Sequence, residues 1–378
     1  MVRTVLINAG PWLPVPPLGY GGIENVVATL IPELRRNGVR VVLCTVQEST
    51  LDVDEVCASF PCGQFERLGG QYNTVVGISH AHMGCLLRRI TAGGIDLVHD
   101  HLEVVGPSLL ACLGEAAPPA LATLHWDLGK HPEFYAGFDG GGRVFFSGVS
   151  ASQLARAQPN LRRQALGHVH LGVPMRDYPF QPDKGDAFLT LGRFTWAKGP
   201  DLAARLAKEL GLRLDMAGPV GGLSSPGRLA AALADEDSPF HDYADVRYYQ
   251  DAVRHFEDGE RIRWIGTAEM PSKRAVLGRA RALLLPIRWE EPGGTAAIEA
   301  LACGTPVIAM RRGVMPELIE HGVTGFLADD EDEFASYLPR VGELDPAACR
   351  RSAERRFSAE TMAAGYLDLY ERVLERAA

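Results

Sequence analysis

No stretch of this sequence approaches the ~20 consecutive apolar residues that a membrane-spanning helix needs. Its opening, MVRTVLINAGPWLPV, holds too short an apolar run for a secretory signal and reads as a first β-strand. An excess of positive charge is also missing. With 38 Lys and Arg against 47 Asp and Glu, the net charge of −9 leaves no broad basic face to neutralise nucleic-acid phosphates. An anionic ligand must instead be gripped by a few local cations, and pairs such as Arg35-Arg36, Arg88-Arg89 and Arg162-Arg163 read as solvated helix faces. No Cys-x-x-Cys pair occurs among the seven cysteines. Their odd number, with Cys44, Cys85, Cys112 and Cys303 inside apolar strands or helices, points to reduced thiols in a cytoplasmic protein. Cys57 and Cys62 fall close together in a stretch that reads as loop, and two free thiols are expected there. The Gly-x-Gly-x-x-Gly spacing of a nicotinamide-dinucleotide site is absent as well.

What is present is length and alternation. A chain of 378 residues, 46% apolar and 22% charged, is too long for one ordinary core and suggests two domains. TVLINAG, VRVVLCTV, DLVHDH, ALATLHW and VFFSGVS alternate with helix-length segments such as IENVVATLIPELRRNG. That order predicts an α/β domain with a doubly wound parallel sheet, whose ligands sit beyond the carboxyl ends of the strands. Periodicity stops at Leu171 to Asp186, LGVPMRDYPFQPDKGD, the expected linker, then restarts with FLTLGR, LRLDMAG, RIRWIG, LLLPI and PVIAM. Two Rossmann-like domains in tandem follow, over 1–178 and 179–357, with a last helix over 358–378, N-capped by Ser358, packing back on the first. Gly140 to Gly142 reads as a flexible loop.

Three strand-to-helix loops carry chemistry. In RWEEPGGTAAIEALACGTPVIA, Pro292, Gly293 and Gly294 form a turn that leaves the N–H groups at Gly293, Gly294 and Thr295 free at a helix N-terminus, a site for phosphate or hydroxyl groups. Glu291 stands before that helix and Glu299 about a turn inside it, spaced for a ligand that bridges turn and helix, although a helix-terminal charge and a solvated helix residue explain them equally in isolation. In LGRFTWAKG, Arg193 and Lys198 offer a guanidinium fork and a mobile ammonium to a diphosphate. In LGYGGIEN, Gly19, Gly21 and Gly22 open the first helix.

Together, Glu-Pro with its glycine turn, Glu299 eight positions after Glu291, EALACGTPVIA, GRFTWAKG and YGGIENVV closely resemble the retaining nucleotide-sugar glycosyltransferases of family 4, over nearly the whole chain. The resemblance implies the GT-B fold, two Rossmann-like domains facing each other across a cleft, and hexosyl or related transfer from a nucleotide diphosphate sugar. The acceptor would be a hydroxyl on a natural product, a glycan or a lipid-linked molecule, and no metal or other cofactor would be needed. It also implies that Arg193 and Lys198 bind the donor diphosphate, Glu291 the transferred sugar and Glu299 the ribose. The amides at Gly293, Gly294 and Thr295 would face sugar and phosphate, while Gly21 and Gly22 would admit the diphosphate near the N-terminal domain. His125, in ATLHWDL, matches the family's histidine near the donor sugar; without the resemblance, a strand-end histidine reads as structural. Many relatives have Phe-Gly-Leu where this chain has Gly293-Gly294-Thr295, a departure on the sugar-facing side of the turn.

Other signals compete. His99-Asp100-His101 has a spacing open to a metal but is equally explained by packing at a strand end. Asp52-Val53-Asp54 spells the Asp-x-Asp of metal-dependent transferases of another fold, yet reads here as solvated loop. PWLPVPPLGY, from Pro11 to Tyr20, is expected to lie over the acceptor entrance. Two further functions use the same residues: a nucleotide-sugar epimerase or hydrolase, and a non-catalytic nucleotide-sugar-binding partner.

Overall fold

The structure, a computed structural model, describes residues 2–19, 21–268 and 271–378; Tyr20, the end of the expected entrance loop, lies outside the described residues. The chain divides into two compact units, one of residues 1–173 with 358–378 and one of residues 174–357. In the first, strands β1 (Thr4–Asn8), β2 (Arg40–Thr45), β3 (Glu55–Ala58), β4 (Leu97–Asp100), β5 (Ala120–Thr123), β6 (Val144–Gly148) and β7 (Ala165–His168) form one sheet. Its order is β3-β2-β1-β4-β5-β6-β7, all parallel, so the winding reverses between β1 and β4. The strands read as near-continuous apolar runs because helices cover both faces. Leu6, Val42 and Val98 stand in register across three strands and share a core with Met83, Leu86 and Ile90 of the helix Tyr72–Thr91.

The second unit holds β8 (Ala187–Leu191), β9 (Arg213–Ala217), β10 (Ile262–Trp264), β11 (Leu283–Leu285), β12 (Val307–Met310) and β13 (Gly325–Ala328). These are parallel in the order β10-β9-β8-β11-β12-β13, with the reversal between β8 and β11.

Three strands are additions to the sequence reading: β3, β7 and β13. Each lies at a sheet edge. Edge strands are short and polar or glycine-containing, so their own residues announce them weakly; pairing with an inner neighbour makes them. Cys57 therefore sits in β3 rather than in a loop, with its Sγ 3.1 Å from Cys85 on the helix Tyr72–Thr91. All seven cysteines are free thiols.

The boundary expected after residue 178 falls after Val173. Met175 and Tyr178 belong with the second unit, because Arg350 donates to both their carbonyl oxygens. Lys184, also within the expected linker, donates to Gly278 O at 2.9 Å, Cys303 O at 3.1 Å and Thr305 Oγ1 at 2.9 Å. The chain re-enters the first unit through a Val173–Ser358 bridge, and Ser358 Oγ accepts from Thr361 N at 3.1 Å to cap the helix Ala359–Ala377. That helix buries Tyr366 and Tyr370. Tyr370 Oη lies 2.7 Å from His99 Nδ1, and His99 Nε2 lies 2.8 Å from Thr123 Oγ1, so a polar seam joins the last helix to β4 and β5.

Candidate active site

In doubly wound sheets a ligand sits where the winding reverses, beyond the carboxyl ends of the two strands concerned. In the second unit these strands are β8 and β11, and each runs straight into one of the motif-bearing loops, 192–199 and 286–294. The loops are tied to each other. Arg288 N donates to Ala197 O at 2.8 Å, and the Arg288 guanidinium grips both oxygens of Asp201 at 2.8 Å. Lys198 N and Gly199 N both donate to Thr195 O, which makes the Lys198 backbone part of a closed turn.

Within this frame Lys198 Nζ donates to Glu291 and stands 4.9 Å from the centre of the Trp289 ring. Arg193 is exposed and has no ion-pair partner among the described residues. One cation is thus already seated on Glu291 and the other is uncommitted, an arrangement able to receive an anion without first breaking a buried pair.

The helix Thr295–Ala302 follows the glycine turn, and its ladder begins with Ala297 N and Ile298 N donating to Gly294 O. The amides ahead of Ala297 therefore fall outside the helical ladder and carry the positive end of its dipole. Gly294 takes φ +62°, and a Cβ there would come within 2.7 Å of Leu318, 2.9 Å of Val314 and 3.1 Å of Met315. Gly294→Ala is expected to cost ~2–4 kcal/mol, from the left-handed backbone and overpacking together. Urea unfolding of the variant measures it, and a loss below ~0.5 kcal/mol would show that the turn relaxes freely. Thr295, next in line, is exposed.

Glu299 is only 4% exposed. Its carboxylate accepts from Tyr178 Oη at 2.8 Å and meets Lys273 Nζ at 2.6 Å through each oxygen. It is a paired, buried group and not a solvated helix residue. Neither partner is legible in the sequence, since Tyr178 lies in the expected linker and Lys273 opens a helix of its own, Ser272–Arg279.

In the first unit, His125 follows β5 and shares a 2.8 Å hydrogen bond between its Nε2 and His101 Nδ1. Burial holds both imidazoles neutral: His125 is pulled down to about 4, and His101 well below the usual histidine range. Gln153 fixes the turn after β5 by donating to Leu124 O at 3.0 Å and Trp126 O at 2.8 Å. Gly21 and Gly22 start the helix Gly22–Arg36. A Cβ at Gly21 would lie 2.7 Å from Pro17, so the chain's own loop requires glycine there, whereas nothing lies within 4 Å of one at Gly22. Trp12, Leu13, Leu18 and Phe65 line an open groove of about 370 Å³ beside that loop.

The competing signals disperse. His99 faces the last helix, while Asp100 turns to the opposite side, where Asn8 Nδ2 donates to it at 2.6 Å. Asp52 and Asp54 both pair with Arg35, at 2.7 and 3.3 Å, ahead of β3.

Two all-parallel sheets, each with its winding reversal, one of them flanked by a cation loop and a glycine turn, describe a pair of doubly wound α/β domains with a candidate anion site in the second. Comparison with known proteins agrees. Residues 176–356 match the family model of glycosyl transferases group 1, and residues 20–170 match that of glycosyltransferase family 4. The chain is 28% identical over 358 residues to the D-inositol 3-phosphate glycosyltransferase of Mycolicibacterium smegmatis, covering 90% of this chain and 74% of that protein. It is 31% identical over 212 residues to the D-inositol 3-phosphate glycosyltransferase of Acidothermus cellulolyticus, covering 51% and 42%.

Among solved structures, sucrose-phosphate synthase from Thermosynechococcus elongatus superposes with a TM-score of 0.73 at 18% identity, covering 99% of each chain. AviGT4, a glycosyltransferase involved in avilamycin A biosynthesis, gives 0.65 at 22% identity, covering 99% of this chain and 98% of that one. HepE of Anabaena, solved in complex with UDP and glucose, gives 0.64 at 16% identity, covering 98% and 100%. The chain is a glycosyltransferase of the GT-B type. No helix of the described residues is long and apolar enough to cross a membrane.

Proposed function

We propose that this chain is a retaining, metal-independent family 4 glycosyltransferase that acts in the cytoplasm. It moves a sugar from a nucleotide diphosphate sugar to an acceptor hydroxyl. The observation that supports the proposal is the pair of tied loops leaving β8 and β11, which seat Lys198 on Glu291, carry exposed Arg193, and end at the amides that open the helix bearing Glu299. Breaking the bond between anomeric carbon and phosphate oxygen puts negative charge on the departing diphosphate, and preorganised donors aimed at that charge lower the barrier. Arg193 and Lys198 supply the cations, and the amides at Gly293, Gly294 and Thr295 add fixed dipoles. Glu291 takes the hydroxyls of the transferred sugar and Glu299 those of the ribose.

To His125, neutral and joined to His101, we assign the support of positive charge developing on the sugar, the role that the family resemblance implies. The departing diphosphate receives the acceptor's proton, so no side chain is assigned as base. The acceptor enters over the loop bearing Trp12 and Leu18, whose groove, lined by these apolar side chains with Glu48 and Glu66, suits a natural-product, glycan or lipid-linked acceptor that carries both apolar surface and hydroxyls.

Calorimetry and thermal unfolding against UDP, GDP, TDP and ADP test the donor site. At a free concentration of 100 Kd the cognate nucleotide should stabilise the protein by ~2.7 kcal/mol. A flat response to all four in folded protein would sink the proposal. Analysis of products from purified enzyme separates the alternatives, since free sugar or an epimerised donor formed at full rate without acceptor would overturn transfer.

A further inference from the structure

With Glu299 as the ribose contact, a buried carboxylate must be held in place by its neighbours. A carboxylate in the interior needs partners, because a buried charge left unpaired is costly. Glu299 is met from two sides. Tyr178, itself 4% exposed, donates its hydroxyl to Oε1 at 2.8 Å. Lys273, at the start of the helix Ser272–Arg279, donates Nζ to Oε1 at 2.6 Å and stands 2.6 Å from Oε2, which accepts no hydrogen bond among the described residues.

Neither side chain is loosely held. The Tyr178 ring lies 5.1 Å from the Arg274 guanidinium, Arg274 Nη2 pairs with Asp177 Oδ2 at 3.2 Å, and Arg350 donates to the Tyr178 carbonyl oxygen. Residues 174–178, sequence that reads as linker, are thereby fastened under the helix that carries Glu299. A carboxylate gripped in this way has one orientation, which is what recognition of two adjacent hydroxyls requires.

We propose that Tyr178 and Lys273 are positioning residues for the donor site: they hold the Glu299 carboxylate oriented to accept from the 2′ and 3′ hydroxyls of a ribonucleoside diphosphate. The inference rests on the ribose role of Glu299. It makes the site selective for ribo- over 2′-deoxyribonucleotides through two residues that do not touch the nucleotide. The chemistry is specific to a diol: a hydrogen bond from the ribose 2′ hydroxyl to Glu299 is lost in the 2′-deoxy form, and with it ~10-fold in affinity.

The test is the ratio of Kd for the 2′-deoxy and ribo forms of whichever of UDP, GDP and ADP binds, measured by calorimetry; binding of TDP, a 2′-deoxyribonucleotide, in preference to all three overturns the inference. Wild-type protein should show a ratio of ~10 or more. Glu299→Gln should bring it close to one, as should Tyr178→Phe and Lys273→Met, and Lys273→Arg should restore it. A merely structural role would weaken both nucleotides alike and leave the ratio unchanged. If Glu299→Gln abolishes the discrimination while Tyr178→Phe and Lys273→Met keep it, the positioning inference is wrong and the ribose contact stands. If wild type shows no ribose preference, or Glu299→Gln leaves one intact, the ribose contact itself falls and the inference with it. Thermal unfolding of each variant establishes that the comparison is between folded proteins.

Discussion

Arg193→Ala and Lys198→Ala are each expected to lower kcat with the cognate donor by on the order of 10²–10³-fold, the usual loss when one preorganised donor to developing negative charge is removed. The two should differ in how the loss divides. Arg193 is exposed and uncommitted, so its removal leaves no orphan and takes away only the grip on phosphate. Lys198 is paired with Glu291, whose side chain is 15% exposed. Lys198→Ala therefore also strips a partly buried carboxylate of its partner and should add a weakening of donor binding. Arg205→Ala provides the control: that guanidinium lies on the surface of the helix Pro200–Glu209, pairs with Glu209 at 3.1 Å, and should leave turnover unchanged. Unaltered kcat in both loop variants would remove the diphosphate role from this loop.

Acidification from pH 6.5 towards 4.5 is expected to unfold the first unit. Burial holds His82 down to about 4, His99 to about 3 and His125 to about 4, with His101 lower than its usual range as well. In the unfolded chain all four titrate near 6.5. Below that pH the unfolded state takes up protons that the folded state refuses, and stability falls. His125, partly exposed, contributes least.

Two carboxyl groups work in the opposite direction. Burial pushes Asp100 up to about 8 and Glu24 up to about 7, so both stay protonated in the folded state where the unfolded chain has lost the proton. These two cost stability as pH rises through the same window. Set against four histidines, they leave up to two protons favouring unfolding, or ~2–3 kcal/mol for each pH unit. Over two units that is comparable with the ~5–15 kcal/mol stability of an ordinary domain. Urea midpoints followed by circular dichroism across the window measure the slope. His99→Gln, which removes one titrating group while keeping polar atoms near Tyr370 and Thr123, should flatten it by ~1.4 kcal/mol per pH unit. A stability independent of pH between 6.5 and 4.5 would disprove the account.

What the sequence by itself determined about this protein are its local matters. The inner strands announce themselves because residues covered on both faces must be apolar throughout, as in LLLPI and PVIAM. The turn at Gly293-Gly294 is legible because a left-handed backbone before a helix asks for glycine, and the cations of GRFTWAKG stand in a loop whose flanks are unmistakable.

What only the tertiary structure decided are the pairings across long separations. Edge strands β3, β7 and β13 form because an inner strand offers a ladder to them. Cys57 meets Cys85 across 28 residues, and Glu299 finds Tyr178 across 121. A carboxylate on a helix looks the same in sequence whether it is solvated or buried. Folding brings a tyrosine and a lysine onto this one, and desolvation then makes those partners obligatory.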